Sequence, residues 1–158
     1  MKMDIGIPQK NRDGSIKILN QLLSDEYILY TKSRNYHWNV VGSDFSELHK
    51  FFEAQYEGLD DIIDKVAERV RSLGGNSLAT LKEFLQNTKL KEFSGDYPDA
   101  KKMIANLLDD HESIIKELRQ NLNTCAEQYH DMGTSDFLTG LMEQHEKMAW
   151  MLRAYLGR

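Results

Sequence analysis

The sequence predicts an all-α protein: a four-helix bundle with a short extra helix in the connector between helices two and three. Three observations carry that prediction. Only two prolines occur in 158 residues, so long stretches run without a helix breaker. Those stretches are rich in Lys, Glu and Leu, with apolar residues recurring every three or four positions. The punctuation at Gly42-Ser43-Asp44, Gly74-Gly75 and His130-Asp131-Met132-Gly133 then divides the chain into segments of helical length.

Length and charge bound the rest. A chain of this size is one domain with a sizeable core. A net charge of −5 argues against a surface built mainly to neutralise phosphates. The single cysteine, Cys125, excludes an intrachain disulfide and fits a reducing compartment. No apolar run approaches the roughly 20 residues of a membrane span, and the first residues lack the apolar core of a signal peptide. A soluble cytoplasmic protein with no membrane partner is the expectation.

Taken in order, residues 1–14 are polar, carry Gly6, Pro8 and Gly14, and read as a flexible arm; residues 15–158 read as the bundle domain. Ser15 is the expected N-cap of a first helix reaching about Val41. Leu19, Leu23, Tyr30 and His37 fall on one face of it, which puts His37 on the buried side. The short link at Gly42–Asp44 folds helix two back antiparallel. Asp44 followed by Glu47 predicts a capping box, and Gly74-Gly75 ends the helix after about Ser72. In such a hairpin His37 and His49 come level with each other.

Residues 76–97 read as a long connector with a short helix around Thr80–Gln86. Pro98 and Asp99 open a third helix to about Tyr129, and Thr134 or Ser135 is the expected cap of a fourth, ending near Tyr155. Met142, Met148 and Met151 read as core filler, and Cys125 as a small packed side chain.

Helix two carries two stripes. Phe45, Leu48, Phe52, Leu59, Ile63, Val66 and Val70 form the apolar one; His49, Glu53, Asp60, Asp64 and Glu68 lie roughly 130° away. The second stripe therefore faces water or another subunit. Imidazole with carboxylate is a ligand set for borderline first-row metals such as Fe(II) or Zn(II). His49 and Asp64 are, however, fifteen positions apart, about 22 Å along a helix. One ion with ~2 Å bonds cannot take both from one chain. Two copies of helix two packed about a two-fold axis would place His49 and Glu53 opposite the partner's acids and make two identical sites. A site inside one subunit's own bundle would need two Glu-x-x-His motifs, and only Glu127-Gln-Tyr-His130 occurs. Against the metal site stands the plainer reading of a structural histidine pair beside a solvated acidic face.

His37-Trp38-Asn39, Gly42, His49, Asp64, Glu68-Arg69 and Gly74-Gly75 resemble, in identity and spacing, the Dps family of miniferritins, in the ferritin-like superfamily. The resemblance implies a homo-oligomer, a hollow dodecamer with ferroxidase centres at its two-fold interfaces. His37 and His49 would come from one subunit and Asp64 and Glu68 from its partner, with Trp38 alongside. It implies iron, Fe(II) oxidised to Fe(III), two ions per site, with zinc as a possible substitute. Hydrogen peroxide, in preference to oxygen, would be the oxidant, and ferric mineral would be stored in the shell. Where the family has Asp four residues after the second His, this chain has Glu53. The extra methylene bears on the second metal position. Asp136, with Asp131 beside it, matches an acidic position of the family's iron-entry pores; the alternative for Asp136 is a first-turn acid favoured by the helix dipole.

Two other readings compete. One is a nucleoid protein that binds DNA; the nearly neutral arm, with Lys2, Lys10 and Arg12 against Asp4 and Asp13, argues against it. The other is a structural helical oligomer with a zinc-filled or empty site.

Overall fold

The structure, a computed structural model, describes residues 3–157; the first two residues of the expected arm and the last of the bundle domain lie outside that range. Five helices follow one another: α1 (Gln9–Asn39), α2 (Phe45–Ser72), α3 (Leu81–Asn87), α4 (Ala100–Glu127) and α5 (Met132–Tyr155). α1 packs along α2, α4 along α5, and the short α3 lies against α1. This is the predicted all-helical bundle with its connector helix. Among the described residues no helix is long and apolar enough to cross a membrane.

The core is built from fully buried Leu19, Leu29, Phe52, Leu59, Leu107 and Leu138, with their apolar neighbours. Each such side chain contributes about 1.5–3 kcal/mol relative to exposure. Most of the predicted apolar face of α2 is in this core, but Phe45 is not: it is 44% exposed and stacks on His49 with ring centroids 5.2 Å apart. As the first residue of α2 it lies at the helix end, and Phe51 and Ile62 supply buried area instead. Met151 is likewise exposed beside Trp150 and Tyr155, whereas Met142 is buried. Cys125 is buried, and burial pushes its thiol up to about 11, which leaves it a packing residue.

The helix ends depart most from expectation. α1 starts at Gln9 after Pro8, not after Ser15, which is fully buried inside the helix. Distant contacts supply the extra turns. The Asn11 amide donates to the Tyr129 carbonyl at 3.0 Å, and a Cβ on Gly14 would sit 2.3 Å from the Tyr129 ring. Gly14 is thus a packing glycine within a helix rather than a breaker. Asp44 precedes α2 but its side chain makes no cap bond, so the Asp44–Glu47 box does not form. α2 ends as predicted, with Gly74 in the left-handed region at φ 87° and the Gly75 amide bonded back to the Val70 carbonyl. α5 is capped by Asp131, whose Oδ1 accepts from the Thr134 amide at 2.9 Å; Thr134 and Ser135 are buried one turn further in.

A capping box does form at α3. The Glu83 amide donates to the Thr80 hydroxyl at 3.3 Å, and the Thr80 amide donates to Glu83 Oε2 at 3.0 Å. The Thr80 hydroxyl, which donates to Glu83 Oε2 at 2.8 Å, and then the Ala79 and Thr80 amides hold the Glu83 carboxyl below its usual range. Replacing Thr80 with Ala should destabilise this short helix by about 1 kcal/mol. Hydrogen exchange of the α3 amides should then speed up by about fivefold while the long helices are unchanged.

Candidate metal centre

The α1–α2 hairpin sets His37, one turn before its loop, against His49, one turn after it. Each imidazole is held by the other residue's backbone. His37 Nδ1 lies 2.7 Å from the His49 carbonyl, and His49 Nδ1 lies 2.8 Å from the His37 carbonyl. A carbonyl only accepts, so both Nδ1 atoms carry a proton, and in the neutral imidazole that leaves the lone pair on Nε2. This is the tautomer that a metal-binding histidine needs, fixed by outer contacts. The rings stack with centroids 3.7 Å apart and planes 18° apart. Lone pairs lie in their ring planes, so near-parallel rings cannot aim both at one ion at a ~2.1 Å bond. Phe45 covers one face of the stack, and Tyr56 meets His37 edge-on at 5.2 Å. His37 is buried and His49 half-buried, which removes water from one side of the pair.

Glu53, one turn beyond His49, is half-buried, and Tyr56 Oη donates to its Oε1 at 3.4 Å. Burial, with the charge of Glu53 next, raises the Tyr56 phenol above its ordinary value, so it stays a donor. The Arg34 guanidinium lies over the same ring at 4.4 Å.

Asp64 and Glu68 sit one turn apart on the exposed face of α2, and among the described residues neither carboxylate has a hydrogen-bond or ion-pair partner. They are not near the histidines in the same chain. Among the described residues no three His, Cys, Asp or Glu side chains of one chain gather closely enough to hold a metal. α2 runs unbroken from Phe45 to Ser72, so His49 and Asp64 stand about 22 Å apart along it.

Asp136 is exposed in the second turn of α5, past the first turn in which the helix dipole would favour an acid. Asp131 is not a channel residue: it is fully buried, both of its oxygens are engaged by Thr134, and Arg69 pairs with it at 3.2 Å. Burial alone would raise its carboxyl, but the bonds from Thr134, the nearby Ser15 hydroxyl and the Arg69 charge outweigh that and hold it low. Glu127 and His130 stand at the exposed end of α4, outside the bundle interior.

A second titratable cluster was not foreseen from the sequence. Glu26 of α1, His145 of α5 and His111 of α4 form a file in the bundle core, all three fully buried. His145 Nε2 is 2.8 Å from Glu26 Oε1, and the two Nδ1 atoms of His145 and His111 are 2.9 Å apart. With Glu26 ionised and both imidazoles neutral, one proton order fits: His145 Nε2–H donates to Glu26 and His111 Nδ1–H donates to His145 Nδ1. Among the described residues Glu26 Oε2 and His111 Nε2 have no hydrogen-bond partner. Burial, then His145, pushes His111 well below its ordinary value, so it is neutral. The donors face apart along the file instead of converging, which distinguishes it from a metal pocket. Its only trace in the sequence is that both imidazoles fall at helical spacing among core residues, Leu107 and Ile114 around one, Leu141 and Ala149 around the other.

Comparison with known proteins places this geometry. The family model of the ferritin-like domain matches residues 16–158. An uncharacterised low temperature-induced protein of Nostoc is 48% identical over 155 residues, 98% of this chain and 87% of that one. The DNA protection during starvation protein 2 of Bacillus anthracis is 38% identical over 144 residues, covering 90% of this chain and 97% of its own. The solved Dps protein of Vibrio cholerae, described as a member of a broad superfamily of ferritin-like diiron-carboxylate proteins, superposes with a TM-score of 0.91 at 30% identity, covering 99% and 98% of the two chains.

Proposed function

We infer that this chain, which belongs to the Dps family of ferritin-like proteins, oxidises Fe(II) at centres shared between two-fold-related subunits and stores the ferric product inside a hollow shell of twelve. The observation that carries the reading is the reciprocal histidine lock. It stacks two imidazoles whose Nδ1 atoms are both committed to the main chain, which leaves Nε2 of each for iron, while Asp64 and Glu68 of the same chain are out of reach. Asp64 and Glu68 stand unpartnered on the same helix about 22 Å away. A second copy about a two-fold axis supplies each half-site with its missing half.

In this arrangement iron is the substrate. Each imidazole takes one ion, so the pair presents two ions about 4 Å apart, the spacing of two-metal sites. Asp64 of the partner subunit binds one, and Glu68 of the partner subunit bridges or swings between the two. Glu53 serves the second position. Hard carboxylate oxygens stabilise Fe(III) over Fe(II) and so favour oxidation. Peroxide then takes one electron from each of two irons, with two protons, and leaves as two waters; no one-electron step releases hydroxyl radical. Oxygen is the slower oxidant, and zinc competes for the same nitrogens and carboxylates. Asp136, exposed at the start of α5, lines the iron-entry channel.

Replacing both His37 and His49 with Ala should lower peroxide-driven Fe(II) oxidation by about 100-fold or more, with the native mass of the assembly unchanged. A full rate in the assembled double variant would remove this site from consideration.

A further inference from the structure

The geometry points to Tyr56 as a positioning residue that holds Glu53 in place for the second, weaker iron position. The inference rests on the shared iron centre proposed above. Glu53 stands where the resemblance leads to Asp, and its longer arm adds a rotatable bond. A carboxylate on such an arm, half-exposed on a helix, samples several rotamers and makes a poorly defined ligand. Here Tyr56 Oη donates to Glu53 Oε1 at 3.4 Å. That bond selects one rotamer and leaves Oε2 for a metal ion.

The phenol can act as an anchor because it is itself held. Its ring meets His37 edge-on at 5.2 Å and Tyr30 at 6.1 Å and 90°. The Arg34 guanidinium covers its face at 4.4 Å, and Arg34 is in turn tied to the Tyr30 hydroxyl at 2.8 Å. A cation on the ring face draws electron density from the phenol and strengthens its O–H as a donor. One side chain thus touches a histidine of the first position and the carboxylate of the second. Orienting contacts of this kind change metal affinity by about 10–100-fold when removed.

The test is anaerobic Fe(II) titration of the assembled full-length protein, with variants Tyr56→Phe, Glu53→Gln and the two combined. Phenylalanine keeps the ring contacts and removes only the hydroxyl. Tyr56→Phe should weaken the second class of bound iron about tenfold and leave the first class unchanged. The apparent KM for Fe(II) should rise while the rate at saturating iron stays within about twofold. In the Glu53→Gln background the same change should add nothing, since the anionic ligand that the hydroxyl holds in place is gone. Three results overturn the proposal: an unaltered second class in Tyr56→Phe, an equal loss in both classes, or a full tenfold loss on top of Glu53→Gln. Failure of the underlying reading looks different, because the His37→Ala/His49→Ala protein would then keep both classes of iron.

Discussion

Refolding an equal mixture of two inactive variants, His37→Ala/His49→Ala and Asp64→Asn/Glu68→Gln, should restore about a quarter of the parent's fast iron oxidation. Random pairing makes half of the two-fold pairs mixed, and each mixed pair rebuilds one of its two sites. The rebuilt site takes intact histidines from one chain and intact acids from the other. Either variant refolded alone should stay at background. The effect is large because the two half-sites lie at opposite ends of one helix, about 22 Å apart, and no side-chain movement spans that gap. If the mixture shows no recovery while native mass reports mixed assemblies, the shared-site reading is wrong.

Replacing His145 with Leu should destabilise the protein by about 3–5 kcal/mol, the cost of stranding a buried charge. Among the described residues His145 is the only partner of Glu26, whose second oxygen has none, and both residues are fully buried. Removing the charge as well, in Glu26→Leu/His145→Leu, should recover most of the loss. Denaturant midpoints at one fixed protomer concentration measure both, since assembly couples to folding. If the single variant is as stable as the parent, the file carries no charge.

The same file sets an acid limit. His111 is held well below its ordinary value by burial first and His145 second. The unfolded chain takes up a proton near pH 6.5 that the folded chain refuses. Its contribution to stability is therefore complete above that pH and is lost as pH falls below it, by at most about 1.4 kcal/mol per pH unit. His111→Leu should lower stability overall but flatten this dependence between about pH 6.5 and 5.

How far the sequence could be read depended on whether the cause was local. The apolar stripe of α2, the turn at Gly74 and the levelling of His37 with His49 follow from helical periodicity and glycine chemistry, and all are present. Membership of the ferritin-like family was legible from the spacing of His37, His49, Asp64 and Glu68, because that spacing is a property of the helices alone. The starts of α1 and α5 were not, although Asp99 caps α4 as its sequence predicts. α1 gains its first turns from Tyr129, at the far end of the chain, and Asp131 outcompetes Thr134 and Ser135 as a cap with the help of Arg69. Tyr56 and the Glu26–His145–His111 file escaped for a related reason. Each acts through partners on other helices or through a ring contact that spacing does not encode.

The two imidazoles of the hairpin are oriented by carbonyl groups of the main chain. Every amino acid supplies a carbonyl, so no substitution elsewhere in the chain can delete the groups that aim them. What would spoil the aim is a change in the length of the five-residue link between Asn39 and Phe45, since one inserted residue would rotate the second helix by about 100° against the first. Lineages descending from this protein are accordingly free to alter the chemistry around the pair but are held to the number of residues in that turn.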